Sequence, residues 1–501
     1  MTITTVPSAT ITGPIAHLVS VEVSCQPGLP SETIVGLPDT VVKESRSRIR
    51  SAIRHCQFQY PARAIIINLA PAELKKEGPF FDLPIAVGIL QATGQIPAIT
   101  DTLFVGELGL AGDIRPVRGI ISMCAMAARN GFKQIVVPAE NASEAALMKG
   151  ITVIPMSTIS QVKEWATGQW TPPPPEPLPT PPRNTHLLIE DVKGQWLAKR
   201  AIEIAAAGSH NLLFIGPPGS GKTMLLHRLP SILPDLTWEE AIASLELHAL
   251  IPGNHGKHLQ FARPFRTPHH TISYAGMVGG GTNPLPGEIS LSHNGILFLD
   301  ELPEYPRAIL ELLRQPLEDR RITISRASAT VTYPANFSLV AAMNPCPCGY
   351  YGDPVRPCTC HPGQIAKYAK RISGPLLDRI DLIIEIPRPD ARDWGRGPSD
   401  RTEYHTDNIR TRVRAARDRQ NLRGAPNASL SPGALQKYPI TDGAHTIING
   451  YLARGILTGR SHDKVLRVAQ TIADLAHSDI VSEAHISEAL QLRCAIPGEQ
   501  S

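Results

Sequence analysis

One short segment, residues 216–223, constrains the fold of this chain more than any other part of it. It follows an apolar run, 211–215, and precedes a stretch with helical spacing, 224–229. A strand, a glycine-rich turn and a helix start in this order let backbone N–H groups surround phosphate oxygens. The segment predicts an α/β fold that binds ATP through Gly216, Pro217, Pro218, Gly219, Ser220, Gly221, Lys222 and Thr223.

Two side chains in that loop have separate tasks in nucleotide binding. Lys222 places a positive charge near the β- and γ-phosphates, and the Thr223 hydroxyl is suited to hold Mg²⁺. An ordinary glycine-rich turn is the competing interpretation, and the flanking strand and helix argue against it.

Two further apolar runs end in polar residues that suit ATP hydrolysis. The run 295–299 ends in Asp300 and Glu301, and the run 337–343 ends in Asn344. Ligands lie at the carboxyl ends of strands in open α/β sheets. We therefore expect Asp300 to position Mg²⁺, Glu301 to act as general base on the attacking water, and Asn344 to contact the γ-phosphate or orient that water.

A proline run at 171–182 marks the sharpest boundary in the chain, because such a run forms neither a helix nor a central strand. It is typical of an extended spacer. We expect a first region of alternating strands and helices, a linker, an ATPase core and a mainly helical final region, at 1–170, 171–185, 186–390 and 391–501.

Composition narrows the class of protein further. The net charge of only +4 over 501 residues does not by itself indicate a nucleic-acid partner. No apolar run approaches the length of a membrane span, and the first residues lack a basic region followed by an apolar core. We expect a cytoplasmic protein without a membrane partner, whose eight cysteines do not form a disulfide framework.

Four of the cysteines form two closely spaced pairs, Cys346 with Cys348 and Cys358 with Cys360. Four thiolates can close a tetrahedral Zn²⁺ site, and the glycines and prolines between the pairs suit a loop that bends back. We predict a structural Zn²⁺ site. Four surface thiols, or one disulfide, remain the alternative.

Two basic segments are candidates for contact with DNA phosphates. The segment 320–333 alternates like two strands around a turn, with Arg326 near the tip. The segment 409–423 contains six arginines against one aspartate, and Arg410, Arg414 and Arg417 share a helix face. An ordinary hairpin and a solvated helix face are the alternatives.

Several segments resemble known parts of AAA+ ring ATPases. Asn344 matches their sensor-1 position. The segment 373–382 resembles the one that offers an arginine to the neighbouring subunit's nucleotide, with Arg379 as the candidate and Arg371 as the alternative; a local ion pair of Arg379 with Asp378 or Asp381 competes. Arg460 resembles sensor 2, which contacts the γ-phosphate from the same subunit, with Arg467 as the alternative.

The first region resembles the proteolytic domain of the Lon proteases, a fold of the ribosomal-protein S5 domain 2 type, at residues 75–84 and 106–117. Lon uses a serine nucleophile and a lysine base. This chain has Phe80 at the serine position and Ile121, or a neighbour without an amine, at the lysine position. Since neither side chain can replace them, we expect the fold without the proteolytic activity.

Together, the segments 191–195, 216–223, 268–270, 344–349 and 373–381 resemble the magnesium-chelatase-like AAA+ ATPases of the ComM/YifB type over nearly the full length. The chelatase subunit itself is expected to resemble only the middle of the chain. The resemblance implies a P-loop AAA+ core with a helical lid, preceded by the Lon-like α/β domain. The glycine-rich insertion 263–281, which carries His269 and His270, is expected to face the ring pore or a neighbouring subunit.

The same resemblance implies a function. It is that of a hexameric, helicase-type ATPase that drives branch migration of single-stranded and branched DNA in homologous recombination during natural transformation. The alternatives are a magnesium-chelatase-type ATPase that remodels a protein partner, and an adaptor whose ATPase serves only assembly.

Overall fold

The computed structural model describes residues 2–76, 78–177, 187–251, 261–281, 284–326, 330–389, 401–494 and 496–497. Part of the predicted linker, 178–185, lies outside these residues, as do 391–400 at the start of the predicted final region. The chain divides into two compact units, Met1–Pro181 with Ala241–Gln260, and Pro182–Glu240 with Phe261–Ser501.

The first unit combines strands and helices in the predicted alternation. Its strands are β1 (Thr2–Thr12), β2 (Ile15–Gln26), β3 (Ser31–Val35), β4 (Ala64–Ala70), β5 (Thr102–Phe104), β6 (Glu107–Leu108), β7 (Ile114–Arg115), β8 (Gln134–Pro138) and β9 (Thr152–Met156). Its helices before the proline run are α1 (Thr40–His55), α2 (Asp82–Ala92), α3 (Ile120–Arg129), α4 (Ala142–Ala145) and α5 (Ile159–Ala166).

The strands of this unit form a sheet in the order β1-β2-β4-β3, a parallel sheet β5-β8-β9 and a hairpin of β6 with β7. Helix α2 packs on β1 and β2. Gly88 permits this approach, since a Cβ there would lie 2.6 Å from the Val23 side chain. Phe80 and Ile121, which stand where Lon has its serine and lysine, are both buried.

The second unit contains the remaining elements except α8, most of which belongs to the first unit. Its strands are β10 (Leu212–Ile215), β11 (Phe265–Arg266), β12 (Gly279–Gly280), β13 (Leu285–Pro286), β14 (Ile296–Leu299), β15 (Arg321–Ser325), β16 (Thr330–Pro334), β17 (Ser338–Met343) and β18 (Leu382–Glu385). The chain's further helices are α6 (Trp196–Gly208), α7 (Lys222–Leu226), α8 (Trp238–His248), α9 (Tyr274–Val278), α10 (Glu288–Leu291), α11 (Arg307–Leu312), α12 (Arg314–Asp319), α13 (Pro362–Ala369), α14 (Gly374–Leu377), α15 (Thr406–Leu422), α16 (Pro432–Leu435), α17 (Asp442–Ala453), α18 (Gly459–Leu475) and α19 (Glu483–Gln491).

A five-stranded parallel sheet organises this unit, in the order β11-β14-β17-β10-β18. Its central strands are apolar and buried along their length, as expected for a parallel sheet covered on both faces. Because the strands are parallel, the segments that follow β10, β14 and β17 emerge at the same edge. The predicted α/β fold class is confirmed.

The C-terminal helices complete the core of the second unit. Helices α15 and α18 pack on α6, and α19 packs on α18. The predicted amphipathic helix 465–476 is the larger part of α18, and Ser482 forms the predicted cap of α19 in a capping box. Across the described residues, every helix falls short of the length and apolarity that crossing a bilayer would require.

Candidate functional site

A cavity of about 400 Å³ lies at the carboxyl edge of the parallel sheet. Its lining is Pro218, Gly219, Ser220, Gly221, Lys222, Thr223, Met224, Asp300, Glu301, Met343 and Asn344. The three sequence motifs that were predicted to act together thus meet in one cavity, which we call the phosphate cavity.

The loop of this cavity depends on backbone conformations that favour glycine. Gly219 and Gly221 have φ angles of 78° and 89°, in the left-handed region. A Cβ at Gly216 would overlap the Ile386 carbonyl oxygen. A side chain at any of these three positions would distort the loop, so the conformation of the loop requires glycine at each of them.

Lys222 is buried and folded back on the loop that carries it. Its Nζ donates to the carbonyls of Gly216 and Pro217 at 2.6 and 2.9 Å, and to Asn344 Oδ1 at 3.3 Å. Burial lowers the pKa of Lys222 to about 8, and the Asp300 carboxylate opposes this shift. An ammonium in this position is ready to exchange carbonyl partners for phosphate oxygens.

The two residues predicted to hold Mg²⁺ are in direct contact. The Thr223 hydroxyl donates to Asp300 Oδ2 at 2.8 Å. A hydroxyl and a carboxylate are hard oxygen donors of the kind that Mg²⁺ prefers. The donor set therefore fits the ion, and Thr223 and Asp300 would hold it beside the phosphates.

Glu301 follows Asp300 with a left-handed backbone, at φ 51°. Its side chain is 55% exposed, and its Oε2 lies 3.6 Å from Nδ1 of His270. The nearby Tyr305 is buried and donates its hydroxyl to the Pro268 carbonyl at 2.5 Å. Burial, together with the charges of Asp300 and Glu301, raises the pKa of Tyr305.

Sequence reasoning assigned no role at this site to His270 or Tyr305. The signal that could have located His270 is a short strand paired with β14, because such a strand would bring the two histidines that follow it to the carboxyl edge of the sheet. The pairing of β11 with β14 spans only two residues on each strand, too few for the pattern of the sequence to predict.

A second cavity of about 400 Å³, which we call the arginine cavity, is lined by three of the predicted arginines, Arg379, Arg460 and Arg467. Its basic lining residues are Arg320, Arg379, Arg460, Lys464 and Arg467, and its acidic ones are Glu318, Asp378, Asp381 and Asp463. It shares no lining residue with the phosphate cavity.

Within one chain, this placement does not bring Arg460 to the phosphate cavity, where the expected contact with the γ-phosphate of its own subunit would form. Arg460 and its alternative, Arg467, both line the arginine cavity rather than the cavity formed by the phosphate loop. Helix α18, which carries both residues, begins at Gly459 and directs them toward Arg379.

Arg379 forms an ion pair within its own chain, but not with Asp378 or Asp381, the partners that the alternative interpretation named. It forms an ion pair with Glu318 and donates to the Pro375 carbonyl at 2.7 Å. Its buried Nε has no hydrogen-bond partner among the residues that the structure describes. The alternative candidate, Arg371, is 52% exposed and donates to Glu304 at 2.9 Å.

The four paired cysteines converge after β17. The Sγ atoms of Cys346, Cys348, Cys358 and Cys360 all lie within 4.8 Å of one another. Three of the pairs are 3.3, 3.5 and 3.7 Å apart, near the separation of about 3.8 Å that tetrahedral Zn–S bonds impose. The cluster is therefore compatible with a structural zinc site.

The predicted hairpin is present as β15 and β16, paired from Arg321 with Pro334 to Ser325 with Thr330. Arg326 is exposed at its end, and residues 327–329 at the tip lie outside the described residues. The guanidinium of Arg326 lies beside Gly280, where a Cβ would be 3.2 Å from Nη2.

The predicted arginine stripe on α15 is wrong for one of its three members. Arg417 is only 6% exposed and donates to the Ala206 carbonyl at 2.7 Å, so it faces the core. Burial lowers the pKa of Arg417 to about 9. Arg414 is exposed, and Arg410 donates to the Ser231 carbonyl and to Asp407.

Comparison with known families gives three matches along the chain. They are described as magnesium chelatase, subunit ChlI, at residues 188–394; subunit ChlI of Mg-chelatase, at 21–141; and magnesium chelatase, subunit ChlI C-terminal, at 403–493. The expectation that chelatase resemblance is confined to the middle of the chain is wrong, because two of the matches lie outside it.

Comparison with individual proteins extends these matches to nearly the whole chain. The uncharacterized protein YifB of Escherichia coli is 44% identical over 483 residues, 95% of this chain and 94% of YifB. The competence protein ComM of Haemophilus influenzae is 42% identical over 499 residues, 96% of this chain and 95% of ComM. Lon protease 1 of Hydrogenovibrio crunogenus is 27% identical over 157 residues, 29% of this chain and 19% of that protease.

Proposed function

The chain belongs to the magnesium-chelatase ChlI-like family of AAA+ proteins, with YifB and ComM among its relatives, and on that premise we propose that it is an ATP-hydrolysing hexameric motor that acts on DNA. The observation that carries the ATPase part is the convergence of Lys222, Thr223, Asp300, Glu301 and Asn344 on one cavity.

The contacts within the phosphate cavity support a division of labour during hydrolysis. Lys222 exchanges the Gly216 and Pro217 carbonyls for phosphate oxygens, and its charge offsets the negative charge of the substrate. Thr223 and Asp300, which bond to each other in this structure, would hold Mg²⁺, and the ion would supply charge stabilisation. Glu301 accepts the proton of the attacking water, and Asn344 orients that water.

We assign Arg379 and Arg460 to the nucleotide of a neighbouring subunit. Both line the arginine cavity, which lacks a phosphate loop of its own. The ion pair with Glu318 keeps Arg379 neutralised in the single chain. A bound γ-phosphate presented by the next subunit of a closed ring would replace Glu318 as the partner.

The relative named competence protein ComM supports DNA as the substrate of the motor. We propose that the protein promotes branch migration of single-stranded and branched DNA in homologous recombination during natural transformation, in the cytoplasm. Arg326 on the hairpin, Arg410 and Arg414 are the proposed phosphate contacts, whereas buried Arg417 no longer belongs to this set.

The experiment that tests this function is ATP hydrolysis with and without single-stranded and branched DNA. DNA is expected to stimulate turnover, and Glu301→Gln is expected to lower it about a hundredfold. Glu239→Gln, at an exposed carboxylate outside the cavity, is the matched control and should retain wild-type turnover. Turnover that ignores every DNA would favour the alternative, a chelatase-type ATPase that remodels a protein partner.

Comparing three arginine variants can distinguish a role in DNA binding from a role in the stability of the fold. Arg326→Ala and Arg414→Ala should each weaken DNA binding and reduce the slope of log affinity against log salt by about 1. Arg417→Ala should instead lower the melting temperature, because its guanidinium bonds the Ala206 carbonyl inside the fold. The reverse pattern would contradict the proposed interface.

A further inference from the structure

The pairing of β11 with β14 brings His270 to the general base. Arg266 pairs with Leu297, and the strands run in parallel. His270 lies four residues beyond Arg266, and Glu301 lies four residues beyond Leu297, so both emerge at the same edge of the sheet. Their side chains meet there, with His270 Nδ1 at 3.6 Å from Glu301 Oε2.

The turn that carries His270 is fixed on several sides. Arg266, just before it, makes two hydrogen bonds of 2.6 Å to Glu288. The Tyr305 hydroxyl holds the Pro268 carbonyl at 2.5 Å. The His270 ring lies with its centroid 4.1 Å from that of His269 and 6.3 Å from that of Tyr305.

Glu301 has fewer restraints than the turn beside it. Its side chain is 55% exposed, whereas that of His270 is 33% exposed. A glutamate side chain that is free to rotate spends much of its time away from the one position in which it can take a proton from water. A neighbouring imidazole N–H that holds one carboxylate oxygen reduces that freedom.

We propose that His270 is a positioning residue for Glu301, which holds the carboxylate at the phosphate cavity for attack by water. This role rests on the proposed ATPase function and adds to it a link from the inserted segment 263–281 to hydrolysis. In the tautomer that carries its proton on Nδ1, the ring donates to Oε2 when the pair closes to hydrogen-bond distance. The other carboxylate oxygen stays available for the water.

The experiment compares His270→Ala, His270→Asn and His445→Ala in steady-state ATP hydrolysis without DNA. We expect His270→Ala to lower kcat about tenfold while the KM for ATP stays within about twofold. The amide nitrogen of the substituted asparagine can occupy the position of Nδ1, so His270→Asn should recover most of the lost kcat. His445→Ala is the matched control, because His445 is exposed on α17 and does not line the phosphate cavity, and it should change kcat less than about twofold.

A double variant separates positioning from a general loss of structure. In the Glu301→Gln background, His270→Ala should cause no further loss, because the group that it positions is already inactive. An equal loss in both backgrounds, a change confined to KM, or an increase in kcat would overturn the role of His270.

The same measurements distinguish this inference from the function on which it rests. Basal turnover reports on His270 even if DNA gives no stimulation, in which case only the DNA substrate is refuted. If Glu301→Gln lowers turnover and His270→Ala does not, only the role of His270 is refuted. If Glu301→Gln has no effect, the assignment of the general base is refuted and the role of His270 falls with it.

Discussion

The phosphate cavity and the arginine cavity have the same volume, about 400 Å³, but the first is lined by one cationic and two acidic side chains, whereas the second is lined by five cationic and four acidic ones. In the phosphate cavity the polar groups bond to one another: Lys222 to Asn344, and Thr223 to Asp300. In the arginine cavity, cationic side chains from several elements converge, and Arg379 is paired with Glu318. The first cavity has the donors that the proposed nucleotide site needs, and the second brings most of its cationic side chains next to carboxylates.

If the chain hydrolyses ATP as proposed, each cavity would supply a different part of what phosphoryl transfer requires. The phosphate cavity has the loop, the Mg²⁺ donors and the base, with Lys222 as its lining cation. The arginine cavity has cations without a loop to hold phosphates. A ring, in which one subunit's arginine cavity faces the next subunit's phosphate cavity, would join these parts.

Removing the cation of the phosphate cavity should have the largest effect. Lys222→Ala is expected to lower ATP turnover about a thousandfold or more, because both nucleotide binding and charge stabilisation lose their lysine. Turnover and binding of a fluorescent ATP analogue measure this loss. Lys367→Ala, at an exposed position on α13, serves as the control, and comparable loss there would refute a specific role for Lys222.

Mixing two inactive variants tests whether the cavities of different subunits work together. Arg379→Ala alone should lower turnover about a hundredfold or more. In an equimolar mixture with Glu301→Gln, about a quarter of the interfaces would combine an intact Glu301 with an intact Arg379 from the neighbour, and activity should return to about that level.

A mixture that stays inactive would contradict the assignment of Arg379 to the neighbouring subunit. Arg371→Ala, tested in the same way, examines the competing candidate. If the Arg371→Ala mixture regains activity and the Arg379→Ala mixture does not, the two arginines exchange roles.

The pH dependence of ATP binding should report the titration of Lys222, the lysine of the phosphate cavity. Burial holds the pKa of Lys222 at about 8 in the free site, and bound phosphates favour the charged form. As pH rises above 8, the free site must take up a proton before it can bind, so the KM for ATP should increase by up to about tenfold per pH unit.

Lys222→Arg provides the control for this titration, because a guanidinium keeps its charge throughout the alkaline range. Its KM, measured between about pH 7 and about pH 9.5, should stay nearly constant. An identical rise in the wild type and in Lys222→Arg would show that another group titrates.

Much of the fold and of the phosphate cavity could be predicted from the sequence, for a physical reason. The strands before Gly216, Asp300 and Asn344 are apolar apart from Ser338, and parallel strands bring their carboxyl ends to one edge. The arrangement of the arginines could not be predicted in this way. The spacing of 409–423 placed Arg417 with Arg410 and Arg414, but packing on α6 buried it at the Ala206 carbonyl.

Long-range contacts explain the other differences between sequence and structure. Arg379 pairs with Glu318, which is 61 residues away in the chain, rather than with Asp378 or Asp381 nearby. Arg460 lies at a helix start, as expected, but the cavity that it lines also includes Glu318 and Arg379 from distant parts of the chain. Neither contact leaves a periodic signal in the sequence.

The smallest expected effect concerns the cysteine loop, which contacts one cavity and not the other. Gly349, at φ 84°, lies against the phosphate loop, where a Cβ would be 2.8 Å from Pro218 Cδ. If zinc braces this loop, Cys348→Ser should remove the metal, lower the melting temperature by several degrees and raise the KM for ATP about threefold. Cys56→Ser, outside the cluster, should keep one zinc per chain by elemental analysis.

Since the lining of the arginine cavity contains no cysteine, the Cys348→Ser chain should still complement Glu301→Gln in the mixing experiment as a donor of Arg379. Failure to do so would mean that the cysteine loop supports both cavities.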